Sequence, residues 1–442
     1  MVILGGGESG VGAAALAQQK GFETFLFDEG SLKDGYRSEL KKLQIPFAEK
    51  EVDEALILNA DEVVKSPGIP EKNEWVKKIR AKGIPVISEI ELAYRYKGDS
   101  KIIAITGSNG KSTTTALIYH MCKVAGLDAA LVGNIGYSFA KQVAEEPKPL
   151  YVAEISSFQL DDIVTFRPDV AILLNITEDH LDRYDYQFEK YIQSKFRIAM
   201  NQTSNDVFIY NLDDEVITEH LKEQNIFSNT IPISMKQEVK KGAHIKDDEM
   251  QVNTGAEQQS MSVYDFALKG KHNQYNTMAA CVAGSTMDIR KNKIREAVQT
   301  FQSLEHRMES VATVRGVEFI NDSKATNVNS TWYALESMTK PTVLILGGVD
   351  KGNDYNLIQE LITEKVKAIV CMGTDNSKIH AAFDGKVATI VDTASAEEAV
   401  HAAFACATVG DAVLLSPACA SFDLFKNYED RGIQFKEAVK NL

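Results

Sequence analysis

Residues 101–115 read KIIAITGSNGKSTTT, and the fold is decided by how this stretch is read. The apolar run Ile102 to Ile105 has the length and β-branched content of a buried strand. It breaks into Gly107-Ser108-Asn109-Gly110 and reopens as a helix through Lys111, Ser112 and Thr113. Glycines let successive backbone N–H groups converge on an anion, and the positive end of the following helix adds to the attraction. A lysine at the helix start reaches β- and γ-phosphates, and the hydroxyl after it is a ligand for Mg²⁺. The generic phosphate-loop pattern places its first glycine where this chain has Ile105. What remains is the shorter Thr106-Gly107-x-Asn109-Gly110-Lys111-Ser112. A Gly-Asn turn ahead of a helix is the plain alternative for a bare G-N-G. The order strand, turn, lysine, paired hydroxyls and helix favours a nucleoside triphosphate.

Composition bounds the rest. At roughly 150 residues per domain, 442 residues suggest about three domains. With 44% apolar and 25% charged residues, the chain has material for several ordinary cores. No apolar run reaches the roughly 18 residues of a membrane span, so no membrane association is expected. MVILGGG at the start lacks a basic n-region, so no leader is expected either. A net charge of −14 argues against nucleic acid as partner. Anionic ligands must therefore be held by local clusters. Five cysteines without C-x-x-C spacing read as core thiols of a cytoplasmic protein, with no metal or disulfide framework.

Outward from the loop, the chain alternates strands and helices. Val2 to Leu4 is followed by Gly5-Gly6-Gly7-Glu8-Ser9-Gly10, a small-residue helix and a strand ending on Asp28. This G-x-G-x-x-G in βαβ context, with an acid 18 residues beyond its last glycine, fits a dinucleotide, any pyrophosphate with a ribose, or glycine packing alone. Ser66-Pro67-Gly68 closes another strand, and a further strand precedes an acid-bearing helix around Glu89. Residues 1–93 therefore form one small α/β domain. A second, 94–302, begins before the phosphate loop. Its strand Leu150 to Ala153 ends at Glu154, well placed for Mg²⁺ or for a helix cap. Its strand Val170 to Leu174 runs into NITEDHLDRY (175–184), where His180 shares an edge with Glu154. Lys195 sits among aromatic and apolar residues and by itself reads as a solvated lysine. Lys240 to Ser260 reads as a hairpin excursion. Asn273 and Asn276 lie three apart on one helix face, able to read a base or ribose or to cap. A third domain, 303–442, opens with a hairpin and repeats the alternation, which implies a mostly parallel sheet. Short joints place the active site between domains that close.

Six segments together resemble the Mur ligases, the ATP-dependent amide-forming family of peptidoglycan precursor synthesis: TGSNGKST (106–113), EISSFQL (154–160), NITEDHLDRY, LEHRME (304–309), NDSKATN (321–327) and LSPACASFDLFKNYEDRG (415–432). The resemblance covers essentially the whole chain. It implies an N-terminal Rossmann-like domain, a central P-loop-type ATPase domain and a C-terminal Rossmann-like domain. NDSKATN and SPACASFD are similar to the members that add D-glutamate to UDP-N-acetylmuramoyl-L-alanine.

By that resemblance the first domain holds UDP and not NAD, with Gly7, Glu8, Ser9 and Gly10 along the diphosphate and Asp28, Glu29 and Ser66 at the uridine pocket. The family often carries Thr-Arg after the acid, whereas this chain reads Glu29-Gly30 and supplies no arginine there. Asn134 would touch the sugar or diphosphate. Gly107, Asn109, Gly110, Lys111, Ser112 and Thr113 would hold ATP phosphates, with Ser112 and Glu154 on one Mg²⁺ and His180 on a second. Lys195 matches the lysine that bears a carbamate in relatives, which would make it an anionic metal ligand. Asn273, Asn276, Arg307 and Asp322 would contact the nucleotide. Lys324, Thr326, Lys351, Ser421, Phe422 and Tyr428 would receive D-glutamate. Lys111, His180 and Lys195 would be the catalytic set of a monomeric enzyme. A carboxylate is a poor electrophile, so ATP would first make an acyl phosphate, which the amine then attacks. His180 or a carboxylate would take the amine proton. Three rivals remain at this level. They are an NAD-linked oxidoreductase built on Gly5–Gly10, a nucleotide-switched binding protein, and a sister ligase or folylpolyglutamate synthetase.

Overall fold

The computed structural model describes residues 1–255, 258–302 and 305–442. Leu304, the first residue of LEHRME, and Ser303, where the third domain was expected to open, lie outside the described residues. Three sheets organise the chain, as expected of three α/β domains. The first has five parallel strands in the order Phe47–Glu49, Phe25–Asp28, Val2–Leu4, Val63–Lys65, Val86–Ser88. Val2, Ile3 and Leu4 are all buried, as befits a central parallel strand covered on both faces. The helix Glu8–Gln19 follows it. A Cβ at its Gly12 would lie 2.1 Å from Ser138 Oγ, so the glycine lets that helix approach Phe139–Glu145.

The second sheet has nine strands, with Lys101–Thr106 between Leu150–Glu154 and Val170–Leu173. Ile102, Ile103, Ala104 and Ile105 are fully buried, and burying each isoleucine contributes about 1.5–3 kcal/mol. The expected hairpin excursion adds to this sheet. Gly242–Lys246, Glu249–Asn253 and Gln258–Ser262 extend it, the last two pairings antiparallel. These two sheets belong to one compact unit, Met1–Ala267 with Gln274–Phe301.

Buried acids on the helix Glu89–Tyr96 tie the unit together. Glu89 accepts hydrogen bonds from Ser138 Oγ and the Ala140 amide at 2.6 Å each. Glu91 accepts from the amides of Val164, Thr165 and Phe166 at 2.8–2.9 Å. A buried carboxylate is tolerated when several donors replace its water.

The second unit, Leu268–Asn273 with Gln302–Leu442, carries a six-stranded sheet. An antiparallel pair, Glu309–Val314 and Val317–Asn321, leads into parallel strands Ala412–Leu415, Thr342–Leu346, Val366–Met372 and Thr389–Thr393. Among the described residues, no helix is long and apolar enough to cross a membrane.

Candidate active site

The loop after Lys101–Thr106 is held from three sides. Gly110 starts the helix Lys111–Val124 in the left-handed region at φ 83°, open to glycine at little cost. Asn175, from the end of the neighbouring strand, clamps Asn109 reciprocally: its Oδ1 accepts the Asn109 amide at 2.8 Å, and its Nδ2 donates to the Asn109 carbonyl at 3.0 Å. Ser108 Oγ bonds the amide and carbonyl of Thr177 at 2.9 Å and lies 3.1 Å from the Tyr191 hydroxyl. A Cβ at Gly110 would stand 2.3 Å from Asn276 Oδ1. That asparagine, buried, therefore lies directly against the glycine turn.

Two lysines converge on one carbonyl of this loop. Lys111 Nζ donates to Gly107 O and Ser108 O, both at 2.8 Å, and Lys195 Nζ donates to Gly107 O at 2.9 Å. Lys195 is 1% exposed, on the helix Phe188–Phe196, with its amine 4.4 Å from the Tyr191 ring centre. The solvated-lysine reading is thereby corrected. Burial, reinforced by the Lys111 charge, holds its pKa well below the usual lysine value, against the pull of Asp179 and Asp161. Burial and a like charge both disfavour the charged form of this amine.

Glu154, fully buried at the end of its strand, accepts from Asn134 Nδ2 at 2.7 Å. Asn134, expected at the UDP substrate, and Glu154, expected at the metal, are thus direct neighbours. His180 follows on the adjacent strand-end loop in the left-handed region at φ 53°, edge-on to Phe158 with ring centres 5.2 Å apart and half exposed. Lys111, Glu154 and His180 all follow neighbouring strands of one sheet, at its carboxyl edge. A glycine cradle at a helix N-terminus, a cationic amine, the Ser112 hydroxyl and a buried carboxylate form a donor set that fits a triphosphate with Mg²⁺. Ser112 and Thr113 are both buried in the first turn.

In the first sheet, the glycine turn is braced by its own acid. Asp28 accepts from the Gly6 amide at 2.6 Å and the Gly30 amide at 2.7 Å. Ser66 Oγ donates to Gly5 O at 3.3 Å, and a Cβ at Gly10 would stand 1.8 Å from that carbonyl. Glu29 accepts from Asn73. Glu8 pairs with Tyr36, Gly7 is the N-cap of the helix Glu8–Gln19, and Ser9 lies in its first turn. Of the alternatives read from sequence, these contacts show the packing role of the glycines.

In the second unit, Asp322 is buried and accepts from Ser416 Oγ at 2.9 Å and the Met308 amide at 3.2 Å. Burial pushes its carboxyl up to about 7, opposed by Arg307. Arg307 also bears on His272, whose imidazole burial drives down to about 4. Asn273 Nδ2 donates to Lys269 O. Lys324 Nζ lies 5.5 Å from the Tyr428 ring centre, and Thr326 is half-buried on the same loop. Ser421 is buried, while Lys351 and Phe422 are exposed. Their loops are laced together, Val349 and Ala420 exchanging backbone hydrogen bonds.

Sequence reasoning assigned no role to Asn175, Tyr191, His272, Ser416 or Arg431. Arg431 is 1% exposed and donates to Ser323 Oγ, Ser323 O and Cys419 O at 2.7–3.2 Å. It thus joins the two loops expected to receive an amino acid. Asn175 and Arg431 stood inside quoted motifs, and that was their only signal.

This combination of three α/β sheets, a shortened phosphate loop and a strand-end carboxylate is matched by known families. Residues 1–88 match the Mur ligase MurD-like N-terminal domain, 105–284 the Mur ligase middle domain, and 306–419 the Mur ligase glutamate ligase domain. The chain is 52% identical over 442 residues to a UDP-N-acetylmuramoylalanine–D-glutamate ligase of Christiangramia forsetii, covering 100% of this chain and 99% of that one. It is 52% identical over 443 residues to the protein of the same name in Bacteroides thetaiotaomicron, with the same coverage. The UDP-N-acetylmuramate–alanine ligase structure from Thermotoga maritima shares the fold at TM-score 0.63 and 17% identity, covering 100% of this chain and 99% of its own. The chain belongs to the Mur ligase family. Members of this family use ATP and Mg²⁺. The nicotinamide and switch-protein readings fall with that membership, and the sister-ligase and folate readings give way to the end-to-end identity with D-glutamate ligases.

Proposed function

We propose that this protein is the ATP-dependent ligase that joins D-glutamate to UDP-N-acetylmuramoyl-L-alanine, releasing ADP and phosphate, in cytoplasmic peptidoglycan precursor synthesis. The observation that carries this reading is 52% identity, end to end, to proteins bearing that name.

Segment 1–93 binds the UDP substrate, through the Gly7–Gly10 turn with Asp28, Glu29 and Ser66, and Asn134 reaches it from the central segment 94–302. That segment binds ATP phosphates through Gly107, Asn109, Gly110, Lys111, Ser112 and Thr113, with Asn273, Asn276, Arg307 and Asp322 contributing to the nucleotide. Ser112, Glu154 and His180 would hold Mg²⁺, which neutralises charge on the transferring phosphoryl group. Segment 303–442 receives D-glutamate through Lys324, Thr326, Lys351, Ser421, Phe422 and Tyr428.

The residues' own chemistry follows. Lys111 draws negative charge off the phosphoryl oxygens while the alanine carboxylate attacks the γ-phosphorus and ADP leaves. The D-glutamate amine then attacks the acyl carbon, loses a proton to a nearby base, and phosphate departs. Lys195, whose charged form burial and the Lys111 charge disfavour, is suited to attack CO₂ through its uncharged amine. A nitrogen–carbon bond forms, one proton leaves, and the product is an anionic carbamate beside Lys111 that would complete the metal ligand set. The protein acts on small molecules as a monomer.

The test is phosphate release by purified protein with ATP, Mg²⁺ and UDP-N-acetylmuramoyl-L-alanine across a panel of amino acids. Release that depends on D-glutamate and not on L-glutamate, L-alanine or L-lysine is expected. Release independent of any amino acid would overturn the assignment.

A further inference from the structure

We propose that Cys371, His380 and Asp392 form a binding site for a soft divalent cation of the zinc class. None of the three belongs to the residues assigned to ATP, Mg²⁺ or either substrate. Their spacing in sequence matches no metal motif, so the set is assembled by topology. The strands Val366–Met372 and Thr389–Thr393 are parallel neighbours with Cys371 opposite Asp392 in register. The two side chains therefore stand side by side at the strands' carboxyl ends. The helix Ser377–Phe383 links these strands and returns His380 over the same edge. One sulfur, one imidazole nitrogen and one carboxylate oxygen all lie within 4.8 Å of one another. Small side-chain adjustments bring such a set to the ~2.0–2.3 Å bonds of Zn²⁺.

The surroundings support the same reading. His380 Nε2 lies 3.1 and 3.2 Å from the two Asp392 oxygens, while Nδ1 lies 3.1 Å from Asp384 Oδ1. A carboxylate on the far nitrogen is the support that orients metal-binding histidines. Asn376 donates to Asp392 Oδ1 at 2.9 Å, and its own Oδ1 is buried with no hydrogen-bond partner among the described residues. An open pocket of about 460 Å³, lined by Asn376, His380 and Asp392, reaches the imidazole and the carboxylate from solvent, while Cys371 is fully buried. Burial, aided by Asp392, pushes the Cys371 thiol up to about 12. Only a cation with strong thiolate affinity displaces that proton. Mg²⁺ and Ca²⁺, which take oxygen ligands, do not.

The experiment uses the full chain, stripped with chelator and titrated with Co²⁺ in excess Mg²⁺. One equivalent giving a thiolate-to-cobalt charge-transfer band, displaced by Zn²⁺, is expected. Cys371→Ser and His380→Gln should each abolish the band. Asp384→Asn should weaken binding by about 10- to 100-fold. His380 is partly exposed, so its variant tests the site with little risk to the fold, which thermal melting monitors. Absence of the band in the wild type overturns the proposal. So does a band unchanged in His380→Gln, which would reduce His380 to an ion-pair partner of Asp384 and Asp392.

Discussion

Replacing Lys195 by methionine should make the ligand-free protein more stable while abolishing ligation. The side chain is 1% exposed and its amine sits against Lys111. Methionine fills a similar volume without the cost that burial and the Lys111 charge impose on the protonated amine, and replacing buried ionic groups by well-packed apolar ones ranges from neutral to about 4 kcal/mol stabilising. Against that, Lys195→Met loses one hydrogen bond to Gly107 O, about 1 kcal/mol, and the carbonyl keeps its bond from Lys111. The net expectation is about 1–2 kcal/mol, or roughly 2–4 °C in melting temperature. The sign with pH is fixed by linkage. The folded amine titrates well below the 10.5 of the unfolded chain, so between those values the unfolded state binds more protons and stability rises with pH. The penalty is absent above 10.5 and grows as pH falls toward the depressed value. The wild-type-minus-variant difference in urea unfolding, measured in CO₂-depleted buffer, should therefore shrink as pH is raised from 7 to 10. A variant less stable than wild type, with parallel pH curves, would refute the reasoning.

Three further outcomes are expected. Lys111→Ala should weaken ATP binding by calorimetry, the charged contacts being worth about 1.5–3 kcal/mol, while UDP binding persists; joint loss would disprove separate sites. Glu89, fully buried, has its carboxyl raised by burial from 4.5 to about 6. The folded state thus holds its proton more tightly, and stability contributed below 4.5 is lost as pH rises through 6, by about 2 kcal/mol. Glu89→Gln should remove that slope, and unfolding curves that stay parallel between pH 4.5 and 6.5 would count against it. Gly110→Ala combines a left-handed φ with a Cβ 2.3 Å from Asn276, so activity should vanish. Gly410→Ala, at φ 96° with open space around it, should cost only about 1–2 kcal/mol of backbone strain in a thermal melt and leave turnover unchanged.

What could be read from sequence was local. Strand, glycine turn and lysine lie within 15 residues at 101–115, and each step has a physical signature of its own. The same holds for the strand ending at Glu154. The polar stretch 240–260 reads in sequence as a hairpin excursion, and its antiparallel pairs are joined to the sheet by pairing with Asn229–Ser234, which no local signal shows. Lys195 reads as solvated in sequence because its burial and lowered pKa depend on Lys111, 84 positions away, and on enclosure by Tyr191 and the loop. Arg431 gave no signal of burial, since its partners Ser323 and Cys419 come from separate loops. Glu89 and Glu91 were visible as acids on a helix, but their donors at 138–140 and 164–166 were not.

Strand order explains why the dispersed motifs meet. Lys101–Thr106, first in its sheet, has Leu150–Glu154 on one side and Val170–Leu173 on the other, the chain crossing over it between them. Open parallel sheets bind ligands at the carboxyl ends of strands where the direction of winding reverses. At that reversal the glycine loop, Glu154 and the Asn175–His180 loop leave from three adjacent strands, and the Asn175–Asn109 clamp is the direct trace of their adjacency. The glycine at the pattern's missing first position is replaced by Ile105, buried and paired with Glu154 in register. The pattern's first position thus lies inside the strand Lys101–Thr106, the loop proper begins at Gly107, and the pairing sets Glu154 beside the strand that feeds it.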